Sequence, residues 1–478
     1  MAQKYVGREE ETHQIQQYLL TNRSELIAVY GRRRVGKTYL VRCTAGTLID
    51  FEFTSMFKTS GAIQRAQFQK ELNQLTGMEA ETPQDWFEAF DHLRDYLLSL
   101  QKDTVVVFLD EIPWMDTTGA HFLAAFSRFW NSWGREEIHL KLFVCGSATT
   151  WMLDKLIGDR GGLYGRVTHA IYLAPLTLRE TERYLNEMKG MNYDRKQVLD
   201  AYMIFGGIPF YLEMLDPAMP FTVNVDRLFY SENAPLRTEY EFLFRSLFKN
   251  NLKYRQVIEL LATKLKGLTR EEIISGIKIE GGELSRILKN LNACDFIRTY
   301  SEPRKAERGK VYQLTDMYCL FYLRFVQNHN GQDQQFWTNS RHSGKVNSWS
   351  GYAFEQVCLH HISQIKKALG ISGILSNHYA WSCKPFTDKE GNEWKGGQID
   401  LIIDRDDHVM NLCEMKYSDE EYIISKKDAD TIRERTQLFR REQKTTKNLR
   451  CTFITPYGVK QNMHSGIMDH QIKLDDLF

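Results

Sequence analysis

The octapeptide GRRRVGKT at residues 31–38 constrains this chain more than any other stretch. It fits the pattern G-x-x-x-x-G-K-T, and ELIAVYG (25–31), just before it, is an apolar run ending in glycine. A buried strand that turns on glycine and opens a helix aims backbone N–H groups and the helix dipole at one point, which suits a phosphate. In that reading Gly31 and Gly36 let the backbone curl, and the loop residues Arg32, Arg33, Arg34 and Val35 surround the phosphates. Lys37 reaches the outer phosphate oxygens, the Thr38 hydroxyl is a magnesium ligand, and Tyr39 carries the loop into its helix. A chain of this size and ordinary composition meets the pattern by chance roughly once in sixty trials. The expected cofactors are ATP and Mg2+.

Two further runs, TVVVFLDE (104–111) and HLKLFVCGS (139–147), have the unbroken apolar character of parallel strands buried on both faces. Just ahead of them, PQDWFEAFDHLRDYLLSL (83–100) places apolar residues near helical spacing. Asp110, closing the second run, can hold magnesium through water, and Glu111 can orient or deprotonate the attacking water. Ser147, closing the third, can sense the terminal phosphate. Val6, Gly7 and Arg8, in YVGREEE (5–11), precede the first strand and could cover the base. Arg166, in LYGR (163–166), could act in trans on a neighbouring copy by stabilising transition-state charge, which predicts an ATP-dependent homo-oligomer.

Taken together, VGRE, GRRRVGKT, FLDEIPW, the Gly146-Ser147 pair, LYGR and GGIP (206–209) resemble an AAA+ (STAND-related) ATPase family of archaea and bacteria. The resemblance spans about residues 1–245. It implies an α/β P-loop core over 1–178, a helical lid over 179–245 with Pro209 near the nucleotide, and slow, switch-like turnover.

Residues 246–330 read as a winged helix: LTREEIISGI (268–277), ELSRILKNLNACDFIRTY (283–300), then a hairpin ending in ERGKVYQLTD (307–316). A DNA-reading version would direct Ser285, Arg286, Lys289 and Asn290 to a groove, with Arg304, Lys305, Arg308 and Lys310 on phosphates. Winged helices in ATPases also serve as relays, and both roles stay open. TNSRHSGKVNSWSGY (338–352) has the composition of a linker.

Residues 345–478 hold a second carboxylate constellation. GGQIDLIID (396–404) carries Asp400, and HVMNLCEMKY (408–417) carries Glu414 and Lys416 on one side of a strand. Asp400 and Glu414 could bind a second Mg2+ or Mn2+, Lys416 could position water, and Glu355, on the preceding helix, could complete the shell. A bare D…E-x-K arises about twice by chance in such a chain, so the strand–turn–strand setting matters more than the letters. The segment resembles the PD-(D/E)XK nuclease superfamily, with Gln398-Ile399 in place of Pro-Asp. His360-His361 reads as helix surface or core.

With 62 basic and 61 acidic residues there is no global field for nucleic acid, so any such surface is local. The eight cysteines lack zinc-ligand spacing and read as reduced residues of a cytoplasmic protein. No run is long and apolar enough to span a membrane. The leading expectation is an ATP-regulated switch coupled to a metal-dependent nuclease acting on DNA. A non-cleaving regulatory ATPase that binds DNA or a protein is the alternative, and a remodelling or signalling ATPase without nucleic acid the third.

Overall fold

Residues 25–172 contribute one five-stranded parallel sheet, in the order β2-β3-β4-β1-β5, to a computed structural model. The model describes residues 6–134, 139–158, 162–248, 250–300, 310–387, 391 and 393–478. The strands are β1 (Glu25–Tyr30), β2 (Ile49–Thr54), β3 (Thr104–Asp110), β4 (His139–Gly146) and β5 (His169–Tyr172). Side chains alternate between two apolar faces, as period two requires. Leu26, Ala28, Val105, Val107, Leu142 and Val144 enter one core, while Ile27, Val29, Val106, Phe108 and Phe143 enter the other.

The first core is local. Helices Gly61–Thr76, Trp86–Ser99 and Phe122–Phe129 close it with Phe68, Trp86, Phe90, Phe122 and Phe126. The second is not: it starts from Ile15, Leu40 and the sheet and continues without a break to Leu474 and Leu477.

The register puts three loops on one edge of the sheet. Tyr30 pairs with Gly146, and Leu109 with Val144, so residues 31, 111 and 147 leave their strands at about the same level. A crossover between β1 and β3 separates the phosphate loop from the acidic strand end by one strand, β4, and Ser147 follows its last residue.

Beyond the sheet come helices Leu178–Arg183, Arg195–Phe205, Pro209–Glu213, Phe221–Phe229 and Pro235–Leu247. Gly207 joins two of them with φ +66°, and a Cβ there would overlap the Leu176 carbonyl. Next stands a helix–strand–helix–helix–strand–strand series: Asn251–Thr263, β6 (Leu268–Thr269), Arg270–Ile277, Gly281–Ala293, β7 (Ile297–Tyr300) and β8 (Val311–Leu314). Its antiparallel sheet has the order β6-β8-β7.

The composition of residues 338–352 misleads. Gly344–His360 is a helix whose N-cap Ser343 accepts from the Val346 N–H, and Val346, Trp349 and Tyr352 are buried. Ser343 and Gly344 mark a helix start rather than a linker, and Trp349 packs edge-on against Phe321, Phe325 and Trp337.

The last part holds β9 (Ser376–Cys383), two short paired strands β10 (Phe386–Thr387) and β11 (Glu393–Trp394), then β12 (Gly397–Arg405), β13 (Val409–Met415), β14 (Asn448–Ile454) and β15 (His470–Ile472). β9, β12 and β13 are antiparallel neighbours; β14 joins β13 in parallel after helix Lys426–Gln443, and β15 closes the edge. All eight cysteines are free. Among the described residues no helix is long and apolar enough to cross a membrane.

Candidate functional site

A cavity of about 650 Å³ lies between the phosphate loop and the helices after the sheet. Val6, Arg8, Arg34, Val35, Gly36, Lys37, Thr38, Tyr39, Glu111 and Pro209 line it, together with Leu176, Tyr184, Met188, Lys189, Phe210, Glu213 and Pro217. Its size suits a nucleotide. The loop turns through Gly31 at φ +146°, Arg34 at +76° and Gly36 at +93°. At Gly31 a Cβ would overlap the Leu173 carbonyl, so the first glycine serves close packing against the sheet as well as the turn.

Lys37 is buried, and its Nζ donates to the loop's own carbonyls at Gly31 (3.0 Å) and Arg32 (2.9 Å). Burial lowers its pKa, while Glu111 and Asp110 work to keep it charged. Thr38 Oγ1 donates to Asp110 Oδ2 at 2.7 Å, and burial raises the Asp110 pKa. This hydroxyl and carboxylate are two hard oxygen donors beside the phosphate loop, and they fit magnesium. Glu111 sits in the left-handed region at φ +50°, its carbonyl held by Ser55 Oγ. Its Oε2 accepts from both the Ser147 N–H (3.0 Å) and Ser147 Oγ (2.8 Å). The two predicted strand-end groups are therefore in direct contact.

The three arginines of the loop part company. Arg34 stacks on Phe210 with its guanidinium carbon 3.8 Å from the ring centre, and it pairs with Glu239 on helix Pro235–Leu247. Arg33 lies over Trp114, 5.9 Å from the ring centre. Arg32 turns away from the cavity, is 2% exposed and pairs with Asp316. As side chains, Arg32 and Arg33 do not line the cavity, and neither do Gly7 and Gly31. The reason for Arg32 is steric and electrostatic: its one carboxylate partner lies behind the loop.

Arg8 lines the cavity, its guanidinium donates to the Ala174 carbonyl, and its backbone N–H donates to Glu180 Oε1 (3.1 Å). Arg166, half-buried in a turn after Leu163, does not line this chain's own cavity. The seven unforeseen lining residues come from the chain after β5. Only Phe210, next to the GGIP turn, had a nearby signal in the sequence.

Residues 5–215 match a family described as an ATPase domain predominantly from Archaea. The N-terminal part of this chain carries an ATPase domain. An uncharacterized protein of Methanocaldococcus jannaschii is 24% identical over 427 residues, covering 87% of this chain and 88% of its own, so that similarity runs well past the ATPase domain. Solved structures similar to this chain include the Walker-type ATPase of Pyrococcus abyssi, with 19% identity, 67% of this chain and 96% of that one covered, and TM-score 0.48. The ORC2 protein of Aeropyrum pernix follows with 12% identity, 67% and 95% coverage and TM-score 0.42.

At the other end of the chain, Leu401 pairs with Cys413, which makes Asp400 and Glu414 cross-strand neighbours. The pairing of β12 with β9 shifts register between Ile399 and Ile402, which brackets Asp400. Asp400 accepts from Gln398 Nε2, two residues before it on β12. Glu414 pairs with Arg435 on helix Lys426–Gln443, and Lys416 Nζ lies 3.5 Å from its other oxygen. Glu355 shares a pocket of about 350 Å³ with Asp400, walled by Leu265, Lys266, Arg298 and Tyr300 from the preceding segment. Burial, then the Asp400 charge, push the Glu355 pKa up to about 8. Among the described residues no three His, Cys, Asp or Glu side chains form a metal cluster. Of the expected carboxylates, Glu414 is paired with the Arg435 guanidinium.

Two of the four predicted groove residues, Lys289 and Asn290, are otherwise engaged. Lys289 pairs with Asp154, between β4 and β5, at 2.7 Å, and Asn290 Nδ2 donates to Tyr254 at 2.6 Å. Ser285 and Arg286 are exposed, and Lys310 precedes β8. Arg304, Lys305 and Arg308 lie outside the described residues. His361 is buried: its Nε2 accepts from the Leu178 N–H at 2.9 Å.

Proposed function

We propose that this chain is a switch-type AAA+ ATPase whose nucleotide state governs a C-terminal nuclease-like unit acting on DNA, with residues 246–330 as a winged-helix relay between them. The Thr38–Asp110 and Glu111–Ser147 contacts at one sheet edge carry the ATPase half of this reading. Lys37 exchanges its two carbonyl partners for the outer phosphates, whose charge restores its own. Thr38 and Asp110 would hold magnesium, which supplies charge neutralisation at the phosphates. Glu111 takes the proton of the attacking water once its carboxylate is free of Ser147, and Ser147 then turns to the terminal phosphate. Arg34 stacked on Phe210 ties loop to lid, which suits a lid that moves with occupancy. Arg166 is available to a neighbouring copy, as an oligomer formed with ATP would require.

For the C-terminal half, the strand order, the register shift around Asp400 and the Asp400–Glu414 neighbourhood support a PD-(D/E)XK-like unit. Asp400, Glu414 and Glu355 would hold Mg2+ or Mn2+ once Arg435 leaves, and Lys416 would position water. The test is cleavage of DNA with magnesium or manganese, with and without ATP. Equal behaviour of wild type and the Asp400→Ala and Lys416→Ala variants removes the nuclease.

A second reading is favoured by the Arg435–Glu414 and Lys289–Asp154 pairs: a non-cleaving regulatory ATPase that binds DNA or a protein partner. It predicts nucleotide-dependent retention of DNA in a gel without scission. Absence of any shift at low salt, where phosphate contacts are strongest, points instead to a protein partner.

A further inference from the structure

The Arg32 side chain is out of place for a phosphate loop. It is buried behind the loop, paired with Asp316 at a sequence separation of 284 residues, and lies 4.8 Å from the centre of the Phe296 ring. Its Nε and Nη2 are buried and make no hydrogen bond among the described residues. A buried charge held by one carboxylate is costly to detach, so the two groups move together.

The same residue is gripped from the nucleotide side. Lys37 Nζ donates to the Arg32 carbonyl, and phosphate binding must withdraw that donor. The Arg32 backbone then loses a charged hydrogen bond while its side chain stays anchored. On the far side, Asp316 Oδ1 accepts from the Cys319 N–H at 2.8 Å and so caps helix Met317–Phe321.

From Asp316 the contacts run on along β8. Gln313 Oε1 accepts from Arg298 Nε at 2.7 Å, across the β7–β8 pair. Gln313 Nε2 donates to the Leu265 carbonyl (2.6 Å) and to the Tyr352 hydroxyl (3.2 Å), one turn before Glu355. Arg298 itself walls the pocket that contains Glu355 and Asp400.

We propose that Arg32 is a positioning residue through which phosphate-loop occupancy is passed to residues 310–321 and 295–300, and through Gln313 and Arg298 to the wall over Glu355 and Asp400. Arg32 thus acts on the ATPase through Lys37 and on the distant pocket through Asp316. The inference rests on the ATP-binding half of the proposed function and holds whether or not the distant carboxylates cut anything. A buried pair that merely stabilised the fold would give no nucleotide-dependent signal, and that difference supplies the test.

Hydrogen exchange of the full chain is followed by mass spectrometry with and without a non-hydrolysable ATP analogue and magnesium, while analogue binding is measured separately by calorimetry. In wild type, saturation changes exchange at 311–321 and 297–300 by about tenfold or more. Asp316→Asn keeps analogue affinity within about threefold but removes the exchange change at both segments. Gln313→Met keeps the change at 315–321 and removes it at 297–300. The proposal is overturned if wild-type exchange at 311–321 is unmoved by saturating analogue, or if Asp316→Asn responds as wild type does. Should Asp316→Asn fail to fold, the wild-type and Gln313→Met measurements decide alone.

Discussion

Replacing His361 with glutamine should flatten the acid side of the chain's stability profile. The imidazole is fully buried at the end of helix Gly344–His360. Nδ1 faces the Val357 carbonyl at 2.8 Å and therefore carries the hydrogen, leaving Nε2 to accept from the Leu178 N–H at 2.9 Å. A second proton would set two donors against each other at the start of helix Leu178–Arg183. Burial is the main cause that holds the His361 pKa down to about 4, against about 6.5 in an unfolded chain. A depressed histidine binds fewer protons folded than unfolded, so its contribution is complete above about pH 6.5 and is lost as pH falls towards 4. Between about pH 7.5 and about pH 5 the loss amounts to ~2 kcal/mol. Glutamine offers an acceptor to Leu178 but does not titrate. Urea unfolding followed by tryptophan fluorescence at both pH values reads the effect: His361→Gln should lose ~2 kcal/mol less than wild type on acidification. Parallel profiles for the two proteins would refute the neutral, accepting imidazole.

Other changes test the remaining contacts. Lys37→Ala should abolish ATP binding in a calorimetric titration. Glu111→Gln should bind ATP as wild type does and hydrolyse it ~10²–10⁴-fold more slowly in a phosphate-release assay. Arg34→Ala removes the stack on Phe210 and should weaken ATP binding by about 1 kcal/mol, or ~5-fold. Glu355, whose pKa is about 8, is mostly protonated at pH 7; if it ligates a divalent cation, manganese titration should release up to about one proton per site, and Glu355→Gln should release none.

The sequence made the sheet legible because its strands are unbroken apolar runs bounded by polar residues. The phosphate loop was legible because Gly31, Gly36, Lys37 and Thr38 fulfil a backbone requirement that few other sequences meet. Asp110, Glu111 and Ser147 followed from their place at strand ends. What the sequence hides is set by long-range packing. Nothing local distinguishes Arg32 from Arg33 and Arg34, yet the three point to Asp316, Trp114 and Glu239. Tyr184, Lys189 and Glu213 reach the cavity only through the way their helices dock. Residues 338–352 were misleading for a different reason: Ser, Asn and Gly are as common at helix starts as in linkers, and Trp349 and Tyr352 were the better guide. Period two puts Glu414 and Lys416 on one side of their strand, but helix Lys426–Gln443 gave no sign that Arg435 would reach Glu414.

The second core, running from Ile15 to Leu477, has a consequence for synthesis on the ribosome. One face of the sheet is sealed early, by helices made among its strands. The other belongs to a cluster whose last members are translated some 300 residues after β5. At ~5–20 residues per second that interval lasts roughly 15–60 s. Throughout it a half-finished apolar cluster stands open to solvent, so the nascent chain should depend on holding chaperones until Leu474 and Leu477 emerge. Removing the end of the chain would leave that dependence permanent.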